Sequence, residues 1–550
     1  MFASPAPSAA RARRAAQPAA RQSQTSRRTS AAIRASTSRL NTPAIRGAYG
    51  HGSPSVEDQD MASEASFGTV TASEAAGHAT YVKTPELTVM FGGHFPEEVR
   101  RTLGSSEVNR NASTGMVDHT TGYAFLVTYD TCFVWNPTKR SHGSPTCYIF
   151  PTPRQQASAG AASHLMLPNV SLIPYGSSRE PGLVMIASTG EIRLWESINA
   201  GLAGAEQFYS NSVPLSAGEY VSTMHRSEAA FYILSTTSGR LFRMALSSPG
   251  GKPHVAVAAF SQHQGLLSFS RFFGRSNGGM NGGSIGSVAE TASETRQARS
   301  KNIWALTERT LQKWTIGDGW EQLSIEYDIR TLLDSEIIPD DEESSEHPEL
   351  DIELHDLKMQ NNDKALVLFS YISPAELALT NATPNRTYAI ASLALSGDSL
   401  VPGSIDKVPY EGARDPRPAS NPKLALIDSG NVAFVQFVDA LTLQSLNTGS
   451  TFKTHLLFKE RRWNRTLGYG VMDKQTPNQS TSELILMTAT AGQLNMQLDL
   501  TKIKRVDDLT KVKQLRAVME QAIRFGTIQD NPFIFRLDPE LKEADLGGAA

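Results

Sequence analysis

Few residues of this sequence have the types and spacing that catalysis requires. Gly282-Gly283-Ser284-Ile285-Gly286 fits the G-x-S-x-G pattern, in which a serine nucleophile stands on a sharp turn from a strand into a helix. No strand pattern leads into this segment, and glycine and serine surround it. The stretch SPGGKP at 248–253 resembles a phosphate-binding loop, but proline stands where serine or threonine would bind magnesium. We therefore predict neither a serine hydrolase nor a nucleotide site.

Residues that could bind a metal or react through sulfur are equally sparse. Cys132 and Cys147 are the only cysteines, too few for a disulfide framework or a cysteine-based zinc site, which favours a reducing compartment. The twelve histidines contain no His-Glu-x-x-His pattern, although His94 and His119 are candidates to line a channel. We expect no catalytic residue, no cofactor and no metal.

One stretch has an unusual distribution of apolar side chains. Residues 265–284, GLLSFSRFFGRSNGGMNGGS, place them among serines and two arginines without any acid. On a helical wheel Ser268, Arg271 and Arg275 lie opposite an apolar arc, with Leu267 to one side; the arc contains Leu266, Phe269, Phe272 and Phe273. A core helix shows the same stripe. Gly274 and the glycines from 278 onward disfavour a helix in water, however, which favours a segment that becomes helical on a surface.

Charge and hydropathy narrow the class of protein. The net charge of −3 argues against a chain that binds nucleic acid over its whole length. No stretch approaches the roughly 18–20 apolar residues of a membrane span, and no apolar signal segment follows the first residues. The first fifty residues contain nine arginines and no acid, which predicts a disordered basic tail over 1–75. A mitochondrial transit peptide is the alternative.

The rest of the chain repeats one pattern of two short strands around a tight turn. It recurs seven times, at intervals of 48 to 72 residues, at 123–137, 183–197, 231–245, 303–316, 365–373, 424–437 and 484–498. The first strand of each pair is nearly all apolar, whereas the second mostly alternates, as in Ile192 and Leu194 against Arg193. This period predicts an all-β fold, a seven-bladed β-propeller over 76–500, with each hairpin forming the middle strands of a four-stranded blade. A pair of β-sandwiches is the structural alternative.

Some segments depart from the period. The second strand of the fifth repeat is weak and is placed at 386–395. Insertions are predicted at 261–300 and at 334–356; the latter has eleven acids and no lysine or arginine, which is typical of a solvated loop, with docking of a basic partner or of calcium as the alternative.

The helical period appears after the last hairpin. Over 508–526 it predicts an amphipathic helix that ends at Gly526, and 501–550 is therefore expected to begin an α-helical region. The apolar stripe of this helix needs a partner and contains Leu509, Val512, Leu515, Met519, Ala522 and Ile523.

Three stretches resemble the 133-kDa nucleoporin family: TCYIFPTP at 146–153, ALTERTLQKW at 305–314 and MEQAIRFGTIQDNPFIFRL at 519–537. The resemblance covers roughly residues 75–540. The 155-kDa nucleoporins have the same type of propeller and a similar first blade. The segment with Asp530-Asn531-Pro532 and the position of the loop at 261–285 favour the 133-kDa family.

The resemblance implies a non-enzymatic scaffold of the nuclear pore complex at the nuclear envelope, which supports mRNA export and protein transport. The implied partners are other nucleoporins of the Y-shaped complex and the curved nuclear membrane, with no specific nucleic acid and no small-molecule substrate. The family has a lipid-packing sensor in a propeller loop, which matches 262–283; its membrane-binding residues here would be Leu266, Leu267, Phe269, Phe272 and Phe273. The alternatives are a 155-kDa-type inner-ring nucleoporin, a WD-like adaptor that binds peptide motifs, and a propeller enzyme.

Overall fold

The structure is a computed structural model, and it describes most of the chain from residue 79 to residue 535. The described residues are 79–107, 112–138, 144–153, 166–175, 180–203, 205–228, 230–249, 252–260, 283–291, 300–317, 319–338, 350–373, 385–396, 399–410, 421–428, 430–447, 449–460, 463–472, 480–503 and 511–535. The predicted disordered tail at 1–75 therefore lies outside them.

The described strands form seven antiparallel sheets, the blades of a propeller. The first two strands of the chain are β1 (Thr80–Lys83) and β2 (Leu87–Gly93). Blade 1, from the inner to the outer strand, contains β3 (Thr114–Asp118), β4 (Tyr123–Val127), β5 (Thr131–Trp135) and β6 (Cys147–Pro151). Blade 2 contains β7 (Asn169–Ile173), β8 (Gly182–Ile186), β9 (Glu191–Trp195) and β10 (Tyr209–Ser212). Blade 3 contains β11 (Val221–Glu228), β12 (Phe231–Thr236), β13 (Leu241–Ser247) and β14 (His254–Ala259).

The remaining blades follow the same order. Blade 4 contains β15 (Ser287–Glu290), β16 (Lys301–Leu306), β17 (Thr310–Gly317) and β18 (Trp320–Asp328). Blade 5 contains β19 (Asp351–Asn361), β20 (Lys364–Ile372), β21 (Thr387–Ser396) and β22 (Ser399–Lys407). Blade 6 contains β23 (Lys423–Ile427), β24 (Val432–Gln436), β25 (Ala440–Ser445) and β26 (Lys453–Phe458), with β30 (Phe533–Ile534) added at its outer edge. Blade 7 contains β27 (Thr466–Val471), β28 (Thr481–Thr488) and β29 (Gly492–Asp499).

The two ends of the propeller are joined in blade 7. Strand β2 pairs with β29, and β1 pairs with β2, so the first strands of the chain complete the last blade. The described helices lie between and after the blades: α1 (Glu97–Ser105), a 3-10 helix (Ile198–Leu202), α2 (Ile329–Ile337), the single turn α3 (Leu500–Ile503) and α4 (Lys511–Phe525). The seven-bladed all-β fold is confirmed.

Six of the seven predicted hairpins supply the middle strands of a blade, including the weak fifth one, whose second strand is β21. The hairpin at 424–437 is the exception, because it consists of β23 and β24, the first and second strands of blade 6. The middle pair of that blade is β24 and β25. Most residues of β23 are buried, so its apolar run resembles that of a middle strand.

Described strands and a described helix lie within both predicted insertions. The segment 261–300 contains β15, the inner strand of blade 4, and ends directly before β16. The acidic run 334–356 contains the end of α2 and the first half of β19, in which Ile352 and Asp356 are buried. The sequence pattern does not predict β15, the end of α2 or the start of β19, because the glycines and acids around them mask the apolar periodicity. Residues 339–349 of the acidic run lie outside the described residues.

The hydrophobic core lies between the blades. In β24, Val432 and Phe434 pack against blade 7, whereas Ala433 and Val435 pack against blade 5. Alternate residues of one strand thus fill two different interfaces, as expected for a strand buried on both faces.

A repeated aromatic contact also joins neighbouring blades. In three places a phenylalanine in or just after the fourth strand of a blade meets edge-on a tryptophan in the third strand of the next blade. The pairs, with ring centroids 5.6, 5.1 and 5.3 Å apart, are Phe95–Trp135, Phe150–Trp195 and Phe260–Trp314. Such edge-to-face pairs add to the apolar burial at the rim.

Candidate functional site

The strand order places the two ends of the predicted membrane-binding loop on one face of the propeller. Because the strands of a blade alternate in direction, every connection from an outer strand to the next inner strand begins and ends on the same face, which we term the connector face. The segment between β14 and β15 is such a connection. Residues 261–282, which include every predicted membrane-binding residue, lie outside the described residues.

Both ends of that connection are fixed in one hydrophobic cluster. Phe260, at the start, and Ile285, at the end, are buried together with Trp314 of blade 4. The backbone N–H of Phe260 donates to the carbonyl of Leu241 at 2.9 Å. The carbonyl of Ile285 accepts hydrogen bonds from two serine hydroxyls, of which that of Ser222 is at 3.2 Å. The segment 261–282 therefore starts and finishes at rigid positions between blades 3 and 4.

The G-x-S-x-G segment is not a nucleophile elbow. Ser284 is followed by the strand β15, whereas a nucleophile serine of this type needs a helix after it. The expectation of no serine hydrolase site here is consistent with this geometry.

The propeller channel contains a cleft of about 450 Å³ beside the inner strands of blades 1, 2 and 3. Its walls include Met116, Val170 and Met224, and His119 lies at its polar end. Of the two histidines predicted to line a channel, His119 is part of this cleft, whereas His94 packs its ring against Phe91 after β2.

The charged groups of this cleft are paired with one another. The Arg226 guanidinium of blade 3 donates two hydrogen bonds to the Asp118 carboxylate of blade 1, at 2.8 and 3.1 Å, and one of 2.8 Å to the carbonyl of Leu172 in blade 2. Burial alone lowers the pKa of Arg226, but the hydrogen bonds and the charge of Asp118 raise it overall. The pair ties three blades together, so it acts as a structural clamp.

Neither cysteine is reactive, and the described acidic residues form no metal-binding cluster. Burial raises the pKa of the Cys132 thiol well above its usual range and that of Cys147 to about 12, so both remain protonated. Within the described ranges, no three histidine, cysteine, aspartate or glutamate side chains are placed to hold a metal ion. No helix among the described residues is long and apolar enough to cross a membrane.

Comparison with known proteins agrees with this architecture. The sequence profile of a nucleoporin family described as "Nup133 N terminal like" matches residues 83–483. The chain belongs to this family. The 133-kDa resemblance and the location at the nuclear pore are thereby confirmed, and the family is one of scaffold propellers rather than enzymes.

Two fungal relatives are nucleoporins. The chain is 23% identical over 475 residues to Nucleoporin NUP133 of Chaetomium thermophilum, covering 76% of this chain and 34% of that protein. It is 27% identical over 166 residues to Nucleoporin nup132 of Schizosaccharomyces pombe, covering 29% of this chain and 14% of that protein. This nucleoporin chain therefore spans about a third or less of the length of these relatives.

A solved nucleoporin structure has the same fold. The crystal structure of the Nup133 β-propeller domain of Vanderwaltozyma polyspora superimposes with a TM-score of 0.51 at 15% identity, covering 76% of this chain and all of that domain. At this identity the match supports the propeller fold alone.

Proposed function

We propose that this nucleoporin chain is a scaffold propeller of the nuclear pore coat, held near the curved pore membrane by the segment 262–283. In this proposal it works with other nucleoporins of the Y-shaped complex and supports mRNA export and protein transport. The tail at 1–75, the propeller at 76–500 and the segment at 501–550 are its proposed parts. The observation that carries the membrane role is the fixing of both ends of the segment, at Phe260 and Ile285, on the connector face.

The composition of the segment favours curved over flat lipid. Burying the five apolar residues Leu266, Leu267, Phe269, Phe272 and Phe273 is favourable, and ordering about a dozen residues costs free energy of similar size. The two arginines add about 1 kcal/mol each, and only on an anionic surface. The net free energy of membrane binding is therefore close to zero on well-packed lipid. It becomes favourable where packing defects admit the phenylalanines.

Flotation of the chain with neutral phosphatidylcholine vesicles of small and large radius tests this role. The unmodified chain should bind the small vesicles preferentially, and Phe272→Asp/Phe273→Asp should lose that preference at an unchanged melting temperature. Ser268→Asn is the matched control, since it alters the polar face only. Equal binding to both radii, or unfolding of the double variant, would contradict the proposal.

The scaffold role has its own test. A fluorescently tagged chain expressed in cells should stain the nuclear rim and co-purify with subunits of the Y-shaped complex. Diffuse cytosolic staining with capture of unrelated peptide motifs would favour the adaptor alternative instead.

A further inference from the structure

The C-terminal helix α4 is fixed to the propeller through a polar side chain. The Gln521 amide oxygen accepts a hydrogen bond of 2.9 Å from the backbone N–H of Lys83, and its Nε2 donates to the carbonyl of the same residue. Lys83 is the last residue of β1, the outermost strand of blade 7. One side-chain amide thus pairs with that edge as a neighbouring strand would, and it fixes the rotation of the helix about its axis.

This attachment leaves two apolar residues of α4, Met519 and Ile523, exposed. At 3.6 residues per turn, Gln521 lies about 160° from both Met519 and Ile523. Gln521 is 9% exposed, whereas Met519 is 52% and Ile523 is 73% exposed. An amphipathic helix normally packs its apolar side on the protein. Here the order is reversed, because Met519 and Ile523 of the predicted stripe are exposed and Gln521 is buried.

The helix is also basic. Its fifteen residues contain four basic residues and one acid, in a chain whose net charge is −3. Arg516 has 81% of its side chain exposed, and Arg524 is exposed as well. The acid, Glu520, is paired with Arg516 within the helix at 3.1 Å.

We propose that α4 is a membrane-contact site for the surface of an anionic lipid bilayer. Exposed apolar side chains such as Met519 and Ile523, beside exposed arginines, form the arrangement with which basic amphipathic helices lie in the interface of anionic membranes. A protein partner for the stripe alone would not require the excess of positive charge. The contact is separate from the segment 262–283 and does not depend on it: that segment requires packing defects that admit its phenylalanines, whereas α4 requires lipid charge.

The two contacts can be separated by vesicle composition. Large vesicles of phosphatidylcholine, with and without phosphatidylserine, are compared by flotation of the whole chain. The chain should bind the phosphatidylserine vesicles more tightly, and the gain should fall as salt rises because surface charges are screened. Each arginine held at an anionic surface strengthens binding about fivefold, so Arg516→Gln/Arg524→Gln should lose about 25-fold.

Three variants complete the test. Met519→Ser/Ile523→Ser should lose the binding to phosphatidylserine vesicles at an unchanged melting temperature, because both side chains are exposed. Glu520→Gln, on the same helix, should bind equally or more tightly. Phe272→Asp/Phe273→Asp should retain the preference for phosphatidylserine, which separates this site from the proposed loop.

Two results would overturn the proposal. One is equal binding of the chain to vesicles with and without phosphatidylserine. That result would favour a protein helix as the partner of Met519 and Ile523. The other is a preference for phosphatidylserine that survives both the arginine and the Met519/Ile523 substitutions. Neither result bears on the preference for small neutral vesicles, so the loop proposal stands or fails separately.

Discussion

Asp356, in the inner strand of blade 5, accepts a hydrogen bond of 2.8 Å from the backbone N–H of Leu424 in blade 6. Its other carboxylate oxygen accepts one of 2.6 Å from the Ser287 hydroxyl in blade 4. Burial alone raises the pKa of Asp356, but Lys358, Lys423 and these hydrogen bonds lower it overall, so the group stays ionised. One buried carboxylate therefore joins three successive blades, as Arg226 does on another side of the channel.

We predict that Asp356→Ala lowers the free energy of unfolding by about 3 kcal/mol, because it leaves the buried donors of Leu424 and Ser287 without an acceptor. Urea unfolding measures the loss. Asp351→Ala is the matched control in the same strand. The Asp351 side chain is half exposed and pairs with Arg386, so this substitution should lower the free energy of unfolding by less than about 1 kcal/mol. Similar losses for the two variants would contradict the clamp.

The joint between blades 7 and 1 depends on glycine. A Cβ on Gly468 would overlap the carbonyl oxygen of Gly115, and one on Gly470 would overlap that of Val117. Gly468→Ala must therefore push β27 away from β3, and we expect a loss of about 3 kcal/mol or more in stability. Gly104→Ala is the control, since a Cβ there meets nothing within 4 Å in helix α1. It should be neutral or stabilise by about 0.5 kcal/mol. Thermal melting compares the two.

The middle strands of the blades could be predicted because burial on both faces makes them continuously apolar. All five residues of β4 and of β8 are buried, and both were visible as apolar runs. Outer strands such as β14 are mostly exposed and carry no such pattern. The inner strands β15 and β19 were missed because glycines and acids adjoin them. The pairing of β2 with β29 in the last blade could not be predicted from local sequence either, because the paired residues are some 400 positions apart.

The contacts that organise the channel could not be predicted for a related reason. Asp118 and Arg226 are 108 residues apart, and only closure of the ring brings them together. Neither lies in a motif. The sequence predicts the apolar residues of α4 but not the way in which the helix faces the propeller. That orientation depends on the hydrogen bond between Gln521, on the opposite side of the helix, and Lys83. The membrane-binding residues at 266–273 remain a prediction.

His355 makes stability depend on pH. Burial, with Arg386 and Lys423 nearby, lowers its pKa to about 4, while Asp356 opposes the shift. In the unfolded chain the imidazole titrates near pH 6.5. The unfolded state therefore binds a proton first as pH falls, and stability should decrease from about pH 6.5 to pH 4, by about 2–3 kcal/mol from this group.

His355→Gln removes the titrating group and retains a partner for the Ser370 hydroxyl, which lies 2.8 Å from Nε2. The difference in unfolding free energy between this variant and the unmodified chain should be constant above pH 7 and should change steadily below it. A difference independent of pH between 7 and 4 would show that His355 is not held neutral.

The C-terminal strap, residues 511–535, should open as a unit without unfolding the propeller. Asn531 is 1% exposed; its Nδ2 donates to the carbonyls of Tyr81 and Phe525, both at 2.9 Å, and its Oδ1 accepts from the N–H of Phe533. It thus joins β1, α4 and β30. Asn531→Ala removes these contacts and should cost about 2 kcal/mol locally.

The readout is hydrogen exchange at the Lys83 amide, which is protected by Gln521 of the same strap. A local loss of about 2 kcal/mol should speed that exchange by about 30-fold, while the Leu126 amide in the middle of blade 1 should keep its rate. Asp530→Ala, at the neighbouring exposed position, should change neither rate. Because the described hydrogen bonds and strand pairing of the strap join it to β1 and β26 at the outer edges of blades 7 and 6, its release should leave the inner parts of the interfaces between blades intact. Equal acceleration at Lys83 and Leu126 in the Asn531→Ala chain would instead mean that the strap and the propeller unfold together.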